Sequence, residues 1–380
     1  MFDISIYLQY AVNIYGGQIP YVDFPVEYPV LFLIPVLLPL PFAVLTNDAY
    51  TYIYAYQIIM SVFDLFTLIF VYLISLKIFD KKTAFISGIL YATAFSAAYF
   101  ILTKFDSFPT FLLTLALMLT LYNKQIEGYI SIILGFFTKI FPALAAPYII
   151  LYNSDNSDLK TEILKFLKYA LPFGIILFIP LFLLNPEIIN TYLFATGTSV
   201  GVYANTATYT ISSILNALGL NISPDSVSVV MYTLMILTFI YLILTAFFQK
   251  IKEERRLLSF ILLTIFSAVF FTKFHSPQYI VWMTPFFAIL LAESLKGIIM
   301  FYAVQALAYA EFPLLFNTFY QNQEYIFSMG TSGWYTIVFF FTIEYLVLLV
   351  TILFIIKNDK GLTDSFKELP KTLVSRYKIK

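Results

Sequence analysis

Three carboxylates precede the first long apolar run of this sequence. Asp3 lies in FDISIY, while Asp23, Glu27 and the neighbouring Tyr28 lie in IPYVDFPVEYP. A carboxylate can accept the proton of a hydroxyl group while the hydroxyl oxygen forms a new bond. Judged by residue type alone, a solvated loop that is kept soluble by its acids fits this stretch equally well.

Lys139 is the strongest candidate for binding an anion. It lies in GFFTKIFP, between two apolar stretches that are each too short to cross a membrane, residues 128–138 and 140–152. An ionisable side chain at membrane depth costs about 2.5 to 3.5 kcal/mol, so such residues tend to be functional. The competing interpretation is a lysine whose amine reaches out to the membrane interface.

Two further polar clusters border apolar runs. In KFDSFP, Lys104 is a second candidate cation, and Asp106 either orients Lys104, binds a substrate or forms an exposed ion pair. The second cluster lies in KFHSPQYIVWM, where one turn holds four candidate substrate contacts: Lys273, His275, Gln278 and Tyr279. The alternative for this turn is an ordinary polar hairpin tip beside an aromatic belt.

The composition of the chain indicates a protein embedded in lipid. The chain has 380 residues, of which 61% are hydrophobic and only 12% charged, whereas about a quarter of a soluble chain is charged. Lys plus Arg and Asp plus Glu are equal at 22 each, which gives no indication of nucleic acid as a partner. The absence of cysteine and the presence of a single histidine argue against thiolate and histidine-rich metal sites, and we predict no metal or cofactor.

Apolar runs predict an all-α, polytopic transmembrane helical bundle with about 11 to 12 membrane segments and external loop helices. The candidate spans are 52–77, 83–101, 107–122, 128–138, 140–152, 168–184, 226–248, 257–272, 278–293, 296–311 and 334–357. We predict one membrane domain over residues 1–357 and a cytoplasmic tail or surface helix over 358–380. Interruptions by Pro29, Pro35, Pro39 and Pro41 make a straight helix over 29–45 costly and favour a re-entrant segment.

Basic residues fall in alternate connections, which are therefore expected to be cytoplasmic. Residues 1–50 then form an external loop and re-entrant segment. Residues 185–225 form an external loop that either binds sugar hydroxyls through its amides and tyrosines or is a plain loop with a short amphipathic helix at about 209–220. An external amino terminus with no span before it predicts that a first transmembrane helix is missing upstream of Met1. Unaided translocation of a short acidic terminus is the alternative.

Motif order gives the sequence a resemblance to a known family. The elements D-I-x-x-Y, G-G-x-x-P-Y-x-D-F and E-Y-P, followed by KFDSFP, GFFTKIFP and HSPQYIVWMTPF, resemble those of GT-C membrane glycosyltransferases that use polyprenyl-phosphate-mannose. The resemblance implies that Asp3 is the catalytic base and that Asp23, Glu27 and Tyr28 contact the substrate. It also implies that the donor phosphate and sugar are bound by Lys104, Asp106, Lys139, Lys273, His275, Gln278 and Tyr279.

The resulting hypothesis is transfer of a hexose, with mannose as first candidate, from a polyprenyl or dolichyl phosphate to a glycan or glycolipid. The transfer takes place at the outer face of the membrane and inverts the anomeric carbon. Membrane lipids surround the protein, and no nucleotide is required. A transporter or lipid flippase is the alternative, in which the broken helix around Lys139 forms a substrate site and no bond is made. A structural or assembly subunit is a third possibility, which predicts that Asp3 and Lys139 are replaceable.

Overall fold

The computed structural model describes residues 2–154, 158–194, 200–316 and 329–377. Within these ranges the chain consists of helices joined by turns and contains no β-strand. Together with the apolar helices described below, this confirms the prediction of an all-α polytopic bundle. Contacts along the chain divide it into two compact units, a first unit of Met1–Ala92 and Ala97–Thr196 and a second unit of Thr93–Ser96 and Gly197–Lys380.

The helices are numbered in chain order. Those up to residue 194 are α1 (Phe2–Tyr15), α2 (Leu33–Leu37), α3 (Leu40–Thr46), α4 (Ala49–Ile78), α5 (Lys81–Ala92), α6 (Phe95–Thr103), α7 (Ser107–Leu121), α8 (Gln125–Thr138), α9 (Ala146–Asn153), α10 (Leu159–Leu177), α11 (Ile179–Leu184) and α12 (Ile188–Phe194). The remainder are α13 (Ala207–Ala217), α14 (Pro224–Gln249), α15 (Glu254–Phe271), α16 (Ile280–Leu290), α17 (Leu295–Tyr309), α18 (Ser332–Asn358) and α19 (Lys360–Tyr377).

Five of the described helical segments are long and apolar enough to cross a membrane: Ala49–Ile78, Leu159–Leu184, Pro224–Gln249, Leu295–Leu315 and Ser332–Asn358. A sixth is added if α5 and α6, which bend by 58° at a short break, are counted as one span. The other predicted segments coincide with shorter helices or, for α15, with a helix that begins with three charged residues. The apolar runs thus predicted where these helices lie. Among the described residues, however, five or six helical segments are long and apolar enough to cross a membrane, fewer than the 11 to 12 membrane segments predicted.

The amino-terminal segment folds back on itself after α1. Gly17 has a φ of +88°, a left-handed conformation that glycine adopts without steric cost. Beyond the loop, prolines break the chain into a 3-10 turn at Val30–Phe32 and the short helices α2 and α3, as the proline spacing predicted. The Tyr52 hydroxyl donates to Val36 O at 2.8 Å, which ties this broken segment to α4.

The chain also breaks at Lys139, as the two short apolar runs predicted. Helix α8 ends at Thr138, Lys139 itself is extended (φ −158°, ψ 145°), and a 3-10 turn at Phe141–Ala145 leads into α9. The break is possible because Gly135 and Pro142 pack closely. A Cβ atom on Gly135 would lie 2.9 Å from Cβ of Pro142.

Gly135→Ala is therefore expected to lower the free energy of unfolding by about 1 to 3 kcal/mol, because an added methyl group must displace the turn that carries Lys139. Equilibrium unfolding in detergent micelles measures this. The matched control is Gly174→Ala in α10, where a Cβ would meet nothing within 4 Å and alanine's helix propensity is expected to stabilise by up to about 1 kcal/mol. Equal effects of the two substitutions would contradict the close-packing explanation.

The second unit is built around α15 and α16, whose side chains are buried along most of their length. Helix α13 matches the amphipathic helix predicted at about 209–220. The stretch predicted as a tail or surface helix forms α19, in which Leu362 and Leu369 are buried, so one face of this otherwise polar helix packs against the rest of the unit.

Candidate active site

The amino-terminal acid is held by a lysine that follows α6. Asp3 lies in the first turn of α1, where a carboxylate is stabilised by the helix dipole. The Lys104 amine donates a hydrogen bond to Oδ2 of Asp3 and forms an ion pair with it. Both side chains keep contact with solvent, with 25% of Asp3 and 21% of Lys104 exposed. A polar ligand can therefore reach this carboxylate and this amine.

A second, buried ion pair lies behind the first. Nζ of Lys139 is 2.7 Å from Oδ1 of Asp106, and the exposed fractions of the two side chains are 11% and 0%. The interpretation of Asp106 as part of an exposed ion pair is thus wrong, while its roles in orienting Lys104 or binding a substrate stay predictions. The Lys139 amine is held inside the protein by a carboxylate, so the alternative of a lysine reaching out to the interface is wrong as well.

Aromatic rings surround the Lys139 amine. Its Nζ lies 4.8 Å from the ring centroid of Phe105 and 5.5 Å from that of Tyr28. These two rings pack edge to face at 4.5 Å, and Phe32 lies 4.6 Å from Phe105. Since a cation over an aromatic face gains about 0.5 to 2 kcal/mol, the rings help to fix the amine and bring Tyr28 to the cluster.

Glu27 lies within electrostatic reach of the exposed pair. Partial burial and the nearby Asp3 carboxylate raise the pKa of Glu27, while Lys104 acts in the opposite direction. Burial and Glu27 also raise the pKa of Tyr10 to about 12. Three carboxylates, those of Asp3, Glu27 and Asp106, thus share two amines. With all five groups ionised, the cluster carries one net negative charge.

Asp23 has a structural contact of its own. Its Oδ2 accepts a hydrogen bond from Ile19 N at 2.7 Å, an interaction typical of acids that close loops. Two residues of the predicted external loop, the second of them in α12, hold the same arm. Asn185 donates to Tyr21 O at 2.6 Å and Thr191 donates to Val26 O at 2.9 Å. The assignment of Asp23 to substrate binding stays a prediction; the contact observed for its side chain is this loop hydrogen bond.

Two tyrosines lie behind Asp3; the sequence placed Tyr7 in the D-I-x-x-Y element but assigned no role to Tyr7 or to Tyr56. Tyr7 and Tyr56 are buried, their rings lie 5.5 Å apart, and neither hydroxyl has a hydrogen-bond partner within the described ranges. The electrostatic environment of each hydroxyl includes Asp3 and Asp106. Helical spacing was the available signal for Tyr7, because residues i and i+4 share one face of α1.

The remaining predicted residues belong to the second unit, where they gather at one turn. Nε2 of His275 lies 3.7 Å from Oε1 of Glu311, and the same oxygen accepts a hydrogen bond from Asn205 at 2.9 Å. The backbone carbonyl of Lys273 accepts from Tyr203 N at 2.9 Å. Glu311 was not predicted, although an acid inside a long apolar run was a usable signal.

Gln278 and Tyr279 form the 3-10 turn that leads into α16. Oε1 of Gln278 accepts a hydrogen bond from Ser276 at 2.8 Å, and the ring of Tyr279 lies 4.0 Å from that of Trp282. Substrate contacts by this turn stay a prediction. Across the described residues of both units, no group of three or more His, Cys, Asp or Glu side chains is arranged to hold a metal ion.

Comparison with known proteins gave no relative from which to transfer a function. No protein-family model matches the sequence, and no curated protein matches it. The function therefore has to be argued from the two ion pairs and their surroundings.

Proposed function

We propose that this membrane protein is a glycosyltransferase that transfers a hexose, with mannose as first candidate, from a polyprenyl or dolichyl phosphate to a glycan or glycolipid. The single observation that carries the proposal is the convergence of two ion pairs, one accessible and one buried, in the first unit. Asp3 and Lys104 are open to a ligand, while Asp106 and Lys139 support them from inside. These residues come from three of the motifs on which the family resemblance rests.

The chemistry requires one proton acceptor and one stabilised leaving group. The acceptor hydroxyl oxygen forms a bond to the anomeric carbon, and the bond from that carbon to the phosphate oxygen breaks. The electron pair of the broken bond stays on the phosphate, and the hydroxyl proton passes to the Asp3 carboxylate. Attack opposite to the leaving group inverts the anomeric carbon, and no co-reactant is needed.

Exposure favours Lys104 over Lys139 as the direct phosphate contact. A fixed cation stabilises the charge that develops on the leaving phosphate, and of the two amines that of Lys104 is the more accessible. In this proposal the donor phosphate takes the place of Asp3 as the partner of Lys104, which frees the carboxylate to act as a base. Lys139 then acts as a positioning residue that holds Asp106 and Tyr28.

Sidedness belongs to the same proposal. The basic residues of alternate connections predict that Asp3, Lys104 and Asp106 face the extracytoplasmic side, where lipid-linked sugars are used without nucleotides. The cell membrane is the proposed location, with the donor entering from the outer leaflet.

The test is a transfer assay with the purified protein in liposomes, using polyprenyl phosphate that carries radiolabelled mannose. The expected result is label in a lipid or glycan acceptor together with release of free polyprenyl phosphate, and no product from a labelled nucleotide-mannose. Movement of intact donor between leaflets without cleavage would instead support the flippase alternative. Absence of both activities across a panel of lipid acceptors would overturn the enzyme proposal.

A further inference from the structure

The second unit contains a small cavity of about 20 Å³, which is enough room for one water molecule. Its walls are mostly apolar side chains from α15, α16, α17 and α18, including Phe266, Met283, Val304 and Leu348. Four titratable residues line it: His275, Glu311, Glu344 and Tyr345. Within the described part of the chain, no lysine or arginine lines this cavity.

The two carboxylates of the cavity differ in their partners. Glu311 is 2% exposed, and its Oε1 accepts a hydrogen bond from Asn205. Glu344 is 8% exposed, and among the described residues it has no hydrogen-bond or ion-pair partner. The Tyr345 hydroxyl donates to Asn205 O at 2.7 Å, so the tyrosine is satisfied without either acid. Glu344 is thus a buried polar group whose partner still has to be accounted for.

Charge balance determines what that partner is. Glu311 and Glu344 interact electrostatically, and two ionised carboxylates in one apolar cavity would be strongly unfavourable. Protonated His275 offers one positive charge at 3.7 Å from Glu311, which compensates one acid and leaves the other. A metal cation finds few oxygen ligands among the residues that line the cavity, because apart from the two carboxylates and the Tyr345 hydroxyl its walls are mostly apolar.

We propose that this cavity is a proton-binding site, in which Glu344 is held as the neutral carboxylic acid beside an ion pair of protonated His275 and ionised Glu311. A single water molecule in the cavity can accept the acidic hydrogen. The ligand is the proton itself, and the three side chains come from three separate elements, the turn after α15, the π-turn at Ala310–Leu315 and α18. This inference does not rest on sugar transfer.

The sign of the pH dependence follows from the number of bound protons. The folded site holds a proton on Glu344. The unfolded chain releases this proton below neutral pH, since a free glutamate titrates at about 4.3. Folding therefore takes up a proton, and the stability of the second unit falls as the pH rises.

Tryptophan fluorescence offers a readout that is specific to this unit. The chain has two tryptophans, and both Trp282 and Trp334 lie in the second unit and are buried. Thermal unfolding of the full-length protein in detergent, followed at these residues, is expected to show a midpoint that falls by about 3 °C per pH unit between about pH 5 and pH 8. His275 is the only histidine, so no other imidazole contributes.

Glu344→Gln distinguishes a proton site from a structural carboxylate. The amide keeps the shape of the protonated acid, so the midpoint at about pH 8 is expected to rise above that of the wild type and the slope to become shallower. Glu311→Gln provides a second variant, for which a shallower slope is also expected. The control is Glu254→Gln at the start of α15, which is expected to keep the wild-type slope.

Three results would overturn the proposal. One is a wild-type midpoint that does not change over this range, and another is a Glu344→Gln protein that keeps the wild-type slope. The third comes from replacing choline chloride by sodium chloride at constant pH. If sodium raises the wild-type midpoint and this gain disappears in Glu344→Gln, the site binds sodium rather than a proton. If Glu344→Gln does not fold, the slope of Glu311→Gln decides.

Discussion

Asp3→Asn is expected to lower kcat for sugar transfer by about 10²- to 10⁴-fold, the usual contribution of a general base. Asparagine keeps the size of aspartate and can still accept a hydrogen bond from Lys104, but it cannot take up the acceptor proton. Because the donor phosphate has to displace this side chain from Lys104, and a neutral amide binds an amine less strongly than a carboxylate does, KM for the lipid-linked donor is not expected to rise. Initial rates with labelled donor at several concentrations separate these two parameters.

A matched control for this substitution lies in the same unit. Asp48 is a fully exposed acid that caps α4 by accepting from Tyr50 N and Thr51 N, and asparagine is an equally good cap. Asp48→Asn should therefore keep wild-type kcat. A wild-type rate for Asp3→Asn would remove Asp3 from the reaction, and a raised KM with unchanged kcat would make it a binding residue.

Sequence periodicity and composition located most of the apolar helices of this chain, because long apolar runs have few ways to satisfy their backbone groups in lipid. They did not predict how many of these helices are long enough to span a membrane. The break at Lys139 could also be predicted, since a lysine beside proline interrupts two apolar runs. The acid with which each lysine pairs, Asp3 for Lys104 and Asp106 for Lys139, could not be predicted. Asp106 is two positions from Lys104 in sequence yet binds Lys139. Asp106 directly precedes α7 and Lys139 directly follows α8, so this pairing depends on how the two helices pack.

The second unit illustrates the same limit over a longer distance. His275 was found as part of a polar turn, but its buried partners are Glu311 and Asn205, and Asn205 and Glu311 are 106 positions apart. No local pattern links such residues. The sequence nevertheless identifies Glu311 as a residue that needs a partner, because an acid within an apolar run needs a counter-charge, a hydrogen-bond donor or a proton. Sequence thus indicates that a partner exists, while packing decides which residue provides it.

Asp106→Asn is expected to lower the free energy of unfolding by about 3 to 5 kcal/mol, because it leaves the Lys139 ammonium buried among Phe105 and Tyr28 without its counter-ion. Lys139→Met is expected to destabilise less, since the remaining Asp106 carboxyl can become neutral by binding a proton. The double variant Asp106→Leu/Lys139→Met removes both charges and is expected to recover most of the loss. Unfolding equilibria of the three variants in mixed micelles provide the measurement.

The control for these three variants is a lysine–carboxylate ion pair on the protein surface. Lys371 and Glu368 in α19 lie 2.6 Å apart with 71% and 50% of their side chains exposed, so Glu368→Gln is expected to cost less than about 1 kcal/mol. If Asp106→Asn costs no more than this control, the Lys139 amine is solvated and the buried pair does not hold the site together. If the double variant regains stability but loses sugar transfer, the pair is required for the position of the site rather than for folding. That combination is the expected one, because replacing a buried ion pair by apolar side chains is often neutral for stability, whereas Tyr28 would lose the cation that fixes its ring beside the Asp3 and Lys104 pair.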